Sequence, residues 1–306
     1  MDEELNSTVI SLGGYVEMEK YRYVYFGIIF VVYILIICSN STILCLIVKK
    51  QNLHEPMYIF IAALLINSVL FSTVIYPKLL VDSLSDKQVI SNSMCHLQFF
   101  MFYFIGSSEF LLLSVMAYDR HVSICKPLQY PVIMTKSTII TFLVLAWLLP
   151  ACQMAGSTAF SSTRKICNFT LRGIFCNNLI YKLHCLSSRL LTVYGVIVLL
   201  NIIVIPILYI CFTYAKILIV SIRSCKEVRG KAAQTCLPHL LVLINFSLLC
   251  LFDIISVRLE SNIPKTVHLI LTLQLILYHP LFNPIIYGLK MKKINEHIKK
   301  LFSSMK

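Results

Sequence analysis

Charge is what this chain has least of. Only 13% of its 306 residues are Asp, Glu, Lys or Arg, about half the share carried by an ordinary globular protein. So few charges cannot coat a surface in contact with water, and lipid must cover much of it; the mean hydropathy of +0.80 agrees. Also missing is a basic leader before a short apolar core. The first 22 residues, MDEELNSTVISLGGYVEMEKYR, are acidic and polar, which predicts no cleaved signal peptide and a first span that serves as its own insertion signal. No internal repeat or matched pair of interrupted helices points to a transporter. No Ser/His/Asp set or group of metal ligands converges as an enzyme would need. The two acids inside apolar runs, Glu109 and Asp253, belong to different runs.

What the chain has is long apolar runs. Stretches free of charge cover 23–48, 57–77, 88–108, 137–163, 190–215, 232–252 and 266–289. A helix needs about 20 apolar residues to cross a bilayer. The runs are continuous, whereas a membrane barrel alternates in segments of about ten. The expected fold is an all-α membrane protein, a seven-transmembrane helix bundle. Its spans lie at about 23–48, 57–80, 95–119, 137–158, 190–216, 232–257 and 264–288, within a bundle of 23–289. Residues 1–22 form an extracellular tail. The segment 290–306 forms a short amphipathic cytoplasmic helix 8 and tail, with Ile294, Ile298, Leu301 and Phe302 at near-helical spacing among lysines.

Orientation follows from the loops. Lys and Arg number 16 on the C-terminal side and 11 on the other, while acids number four and eight. The positive-inside rule puts the N-terminus of this multi-pass membrane protein outside and the C-terminus inside. The net charge of +13 then reads as basic residues facing anionic lipid head groups, and no nucleic acid is called for.

Four of the twelve cysteines fall on the outer side: Cys95, Cys167, Cys176 and Cys185. An even count outside fits two disulfides, and the spacings form no tight zinc pattern. Asn6-Ser7-Thr8 is a glycosylation sequon in the free outer tail. A second, Asn168-Phe169-Thr170, sits beside Cys167, where a folded loop could hide it, so Asn6 is the better acceptor.

Span three carries the most information. At 100° per residue, Phe102, Glu109 and Arg120 fall within about 20° of one line along the helix. A lone acid at mid-membrane should face the bundle interior. The inner face of span three therefore runs from an aromatic outside, through Glu109, to Arg120 at the cytoplasmic rim. Arg120 follows Asp119, and an arginine whose pairing can be exchanged is a two-state element. The plain alternative is a solvated Asp-Arg pair at a helix end. Pro206, Pro238, Pro280 and Pro284 lie inside spans and favour kinks.

These residues resemble a family. MAYDRHVSICKPLQYPVIM (116–134) is similar to the signature of olfactory receptors, a branch of the rhodopsin-like G-protein-coupled receptors. LHEPMYIF (53–60), KAAQTCLPHLLVL (231–243) and PLFNPIIYGLK (280–290) resemble the family's first inner loop, the start of its sixth span and the end of its seventh. Trp147 in span four, Pro206 with Tyr214 in span five, and three cysteines in the second outer loop match as well. The KPLQYPVIMTKS loop and IAALLINS are similar to the fish branch.

The resemblance implies a set of roles. Cys95 would pair with Cys176, and Cys167 with Cys185. Arg120, beside Asp119, would meet a heterotrimeric G protein of the olfactory, cAMP-raising type when span six swings outward. Tyr214 and Tyr287 would turn inward to hold that state. Asn40, Trp147, Pro206, Asn283 and Pro284 would pack or hinge their spans. A small-molecule odorant would bind in the outer half of the bundle, where the lining candidates are Phe102, Tyr103, Gly106, Ser107, Cys250, Ile254 and Tyr278. Asp253 would be either a counter-ion for ligand or an outer-rim partner of Arg258 or Lys265. His239, His268 and His279 read as packing residues. No cofactor is implied, and the seventh run holds no lysine for a retinal Schiff base.

The chain departs from the family pattern in two places. Ser68 stands where span two usually carries Asp, so a sodium ion would meet one carboxylate, Glu109, with Ser68 beside it. Ser247 replaces the usual Tyr of mid-span six. The rival functions are a rhodopsin-like receptor for an endogenous small ligand and, from another class, a membrane transporter.

Overall fold

A computed structural model describes residues 9–186, 188–222, 236, 237, 240–251, 253 and 264–304. Asn6, Pro238, His239, Ile254 and Arg258, and the side chain of His279, lie outside the described residues. Helices are long because the apolar runs offer the backbone no polar partner except itself. They are α1 (Met18–Lys49), α2 (Pro56–Leu84), α3 (Asn92–Cys125), α4 (Lys136–Ser162) and α5 (Arg189–Ile222). Leu240–Leu251 is a described stretch of α6. Then follow α7 (Lys265–Lys290) and α8 (Lys292–Ser304).

Helix starts obey local chemistry. Ser91, Thr135 and Ser188 accept hydrogen bonds from the Met94, Thr138 and Leu191 amides, closing the first turns of α3, α4 and α5. Pro56 occupies the first position of α2, where a missing N–H costs nothing. Pro206 acts inside α5. Its ring cannot donate and crowds the preceding turn, and the chain answers with a π-helical segment, Leu200–Val204. Helix α7 bends by 43° between Lys265–Tyr278 and Pro280–Gly288.

Helix α3 is central and packs against α2, α4 and α5. On α4, Ile140, Val144 and Leu148 recur every fourth residue and are exposed, which is the face a bilayer would cover. At the inner end, Lys293 of α8 pairs with Glu55 at 2.6 Å, and His297 meets Asn52 at 3.2 Å. Ile294 of α8 is fully buried.

A small sheet covers the outer end. Strand β1 (Val9–Leu12) runs antiparallel to β2 (Val89–Ser91) and parallel to β3 (Thr170–Leu171), in the order β2-β1-β3. Ile10 and Leu12 of β1 pack in one cluster with Phe99, Leu171 and Leu179. The turn after β1 passes so close to the second outer loop that a Cβ on Gly14 would lie 2.5 Å from the Gly173 carbonyl carbon. Two disulfides, Cys95–Cys176 and Cys167–Cys185, tie that loop to α3 and to itself. Asn168 remains exposed, with its side-chain oxygen accepting from the Thr170 amide.

Candidate ligand cavity and polar nodes of the bundle

Polar chemistry is stacked at three levels along α3. The outermost is a cavity of about 50 Å³ lined by Phe71, Phe102, Tyr103, Gly106, Ser107, Phe110, Ile203, Phe246, Cys250, Asp253 and Leu275. Six sequence candidates, Phe102, Tyr103, Gly106, Ser107, Cys250 and Asp253, meet there. Tyr278 does not line it and stacks on Phe282, with ring centroids 4.6 Å apart. Ile203 reaches the wall from the π-helical segment.

Asp253, 6% exposed, is held from the interior. Its Oδ2 accepts from the Tyr103 hydroxyl at 2.6 Å and its Oδ1 from the Asn177 amide at 3.1 Å. The Asn178 side chain donates to Oδ2 at 3.4 Å. Tyr103 is fixed from behind, because its oxygen accepts the Asn178 backbone N–H at 2.9 Å. The second outer loop thus folds down onto the carboxylate. Asn177 and Asn178 carry no sequence signal for this role, since the loop's descent decides it.

The middle level centres on Glu109, which is fully buried. Asn67 donates to Oε2 at 3.0 Å and Asn283 to Oε1 at 2.9 Å. The orientation of the Asn67 amide follows from its neighbours. Its nitrogen also donates to the Ile105 carbonyl, and its oxygen accepts from the Trp147 indole N–H at 3.3 Å, which can only donate. Asn283 also donates to the Ser68 hydroxyl at 2.9 Å. A hard cation takes oxygen ligands. Here two amide nitrogens stand at the Glu109 oxygens, so Glu109 and Ser68 as arranged do not fit a sodium ion. Among the described residues no group of three His, Cys, Asp or Glu side chains could hold a metal.

The inner level answers the Asp-Arg question. Asp119 is fully buried, and the Arg120 side chain is only 12% exposed. Asp119 Oδ2 accepts from Arg120 Nε at 2.9 Å and from a terminal guanidinium nitrogen. Its Oδ1 accepts from the Tyr130 hydroxyl at 2.7 Å. Tyr130 comes from the one-turn helix of the inner loop (Tyr130–Ile133). The pair is therefore a clasp that fastens the loop to α3, and it is not solvated. Tyr214 is buried nearby on α5, its hydroxyl without a hydrogen-bond partner among the described residues, and Tyr287 is fully buried on α7. Asn40 ties α1 to the bend in α7 by donating to the Pro280 carbonyl at 2.9 Å.

The sequence that builds these three polar levels around α3 has relatives along almost its whole length. The olfactory receptor family profile matches residues 29–305. Human "Olfactory receptor 2K2" is 30% identical over 300 residues, covering 97% of this chain and 94% of that one. Human "Olfactory receptor 2AT4" is 32% identical, with 91% and 87% covered, and human "Olfactory receptor 6K3" is 33% identical, with 96% and 88% covered. The chain belongs to the olfactory receptor family. The receptor is accordingly a seven-helix, G-protein-coupled protein of the plasma membrane and not an enzyme.

A polar cluster at the receptor's outer end is built to be sensitive to pH. Ser161 stands between His96 and His184, its hydroxyl 3.4 Å from each Nε2. Burial, and then the nearby His96 and Arg164, hold the His184 imidazole below its ordinary value of 6.5. The folded loop thus prefers neutral His184. The stability this gives is present above pH 6.5 and is lost as pH falls through the lowered value. Between about pH 7.5 and 5.5 the melting temperature of purified receptor should fall more for the wild type than for His184→Gln. Equal slopes would remove His184 from this role.

Proposed function

We propose that a small odorant occupies the cavity between α3, α6 and α7, and that its binding shifts the bundle toward a state that activates a heterotrimeric G protein of the cAMP-raising type. The observation that carries this reading is the cavity itself. Its walls are aromatic, with few polar groups, the composition of a small-molecule site. It lies beneath the Cys95–Cys176 loop and on the same helix as the inner clasp, so one element, α3, carries both ends. Glu109 links α2, α3 and α7 through Asn67 and Asn283 midway between them. A ligand can bias such a bundle only by its differential affinity for the two arrangements.

In the proposed switch Arg120 leaves Asp119 and turns toward the G protein. Tyr214 and Tyr287, with Asn283 and Pro284 at the α7 hinge, accommodate the opened inner end. Asn6 carries glycan in the outer tail. The test is cAMP accumulation in cells given a panel of volatile and water-soluble compounds. Arg120→Ala, matched for surface level, should abolish the response while leaving ligand binding intact. A variant that signals as well as the parent removes Arg120 from the coupling role.

A further inference from the structure

A glycosylation sequon is a weak signal until its surroundings are known. Asn-x-Ser/Thr occurs four times in this chain, beginning at Asn6, Asn40, Asn168 and Asn245. Asn40 is fully buried in α1, and Asn245 lies within the apolar stretch of α6. Both sit inside spans, out of reach of a glycosyltransferase. Asn168 differs from them in its exposure, its compartment and the way its side chain is held.

Asn168 is exposed, and so are Lys165, Cys167 and Thr170 around it. The Cys167–Cys185 disulfide next to it, with Cys95–Cys176 in the same loop, belongs to the oxidising side of the membrane. That is also the side on which asparagine-linked sugars are added.

The fold anchors the backbone on both flanks of the sequon. The Cys167 and Asn168 amides donate to the Leu183 carbonyl at 2.8 and 3.2 Å, and the Phe169 carbonyl accepts from the Ser11 amide at 2.8 Å. Thr170 then begins β3, opposite Ser11 of β1. Between these anchors the Asn168 side-chain oxygen accepts from the Thr170 amide at 3.0 Å, a local turn of the kind asparagine favours. A backbone N–H can only donate, so the atom turned in to the chain is Oδ1. The amide nitrogen is the end left to face water. The disulfide therefore does not conceal Asn168 but fixes it at the loop's margin. The buried part of the loop, Ile174–Asn177, comes after it.

We propose that Asn168 carries an asparagine-linked oligosaccharide, a second glycan on the receptor's outer face in addition to that of Asn6. The donor class is an oligosaccharide on a polyprenyl diphosphate. In the transfer the Asn168 nitrogen releases one hydrogen as a proton and bonds to the anomeric carbon of the first sugar. The bond from that carbon to the diphosphate oxygen breaks, and the diphosphate leaves with the electron pair. The Thr170 hydroxyl completes the recognition element. The glycan places a bulky, solubilising group on the rim of the loop, clear of the cavity roof.

The test takes full-length receptor from the surface of mammalian cells and digests it with peptide-N-glycosidase in heavy-oxygen water. Release converts a glycosylated Asn into Asp carrying the heavy isotope, so peptide masses read each site separately. Asn168 should return as labelled Asp. On gels, Asn168→Gln should lose one of the two steps that the enzyme removes from the wild type. Thr170→Ala should lose the same step, and Thr170→Ser should keep it. The wild-type peptide map stands by itself if a variant fails to fold. An unlabelled Asn168 in surface receptor overturns the proposal, as does an Asn6→Gln variant whose mobility the enzyme no longer changes. Label at Asn168 with none at Asn6 upholds the proposal and removes the glycan from the outer tail.

Discussion

Asp119→Ala is expected to destabilise the receptor by about 3 kcal/mol, more than Asp119→Asn or Tyr130→Phe in the same clasp. Removing one partner of a buried ion pair strands the other, at a cost of about 3–5 kcal/mol. Here the stranded group is Arg120, whose side chain is 12% exposed. A value near the lower end is expected because a long arginine at the cytoplasmic rim can reach water by extending its stem. Asp119→Asn keeps an acceptor for Tyr130 and the same volume, so it should cost less. Tyr130→Phe removes a single 2.7 Å hydrogen bond and should cost about 1 kcal/mol. The order of cost, Asp119→Ala first, then Asp119→Asn, then Tyr130→Phe, is checked by melting temperature in nanodiscs. If Asp119→Ala melts no lower than Tyr130→Phe, the carboxylate is not compensating Arg120. The Asp119→Ala variant should also raise basal signalling, since the clasp is what holds Arg120 away from a G protein in the proposed switch.

Much of the bundle was legible because a bilayer imposes one simple rule. Backbone in lipid must bond to itself, so the gaps between charges mark helices. What the rule does not mark is where helices stop. Helix α3 begins at Asn92 because Ser91 caps it, and it continues past Arg120 to Cys125. Helix α5 continues through Lys216 to Ile222. In both cases the helix outruns its apolar run, since hydrogen bonding within a helix persists beyond the depth at which lipid requires it. The sheet at the outer end was invisible for a different reason. Its strands have two to four residues each and come from three distant segments, so no local period exists to be read.

The candidate site divides along the same line. The stripe Phe102, Glu109 and Arg120 follows from helical spacing alone. The partners of the buried acids do not. Asn177 lies 76 residues from Asp253, and Asn67 lies 42 from Glu109. Counting along α6 left Asp253 poised between a rim ion pair and a ligand counter-ion. The loop's descent decides which groups actually surround it. A disulfide-bonded loop can be recognised in sequence, but the depth to which it folds cannot.

That descent makes the two disulfides unequal, and their removal is the second large effect expected. Cys95–Cys176 joins residues 81 apart and Cys167–Cys185 residues 18 apart. For a free chain the loop-closure entropy lost is about 4–5 kcal/mol for the longer and about 3 for the shorter. The bilayer already restrains the ends of α3 and α4, so a cost of about 3 kcal/mol is expected for the longer link. Entropy alone therefore separates them little. The difference lies in what each holds. Cys176 sits between Phe175, whose ring is 4.8 Å from Phe102, and Asn177, which donates to Asp253. The Cys176 amide itself donates to Gln98 of α3 at 3.0 Å. Freeing this point lets the loop rise from the cavity roof and leaves a buried carboxylate with fewer donors. Cys167 and Cys185 lie at the margin of the loop, which is also pinned by the Cys167 amide donating to Leu183 and the Cys185 amide to Lys165. The Cys95→Ser/Cys176→Ser double variant should lose most of its cell-surface population and all ligand-induced stabilisation. The Cys167→Ser/Cys185→Ser double variant should reach the surface at reduced level and keep ligand binding. Equal loss in both would mean that the loop acts as one unit, and that Asn177 and Asn178 are held over Asp253 by the whole fold of the loop and not by its attachment to α3.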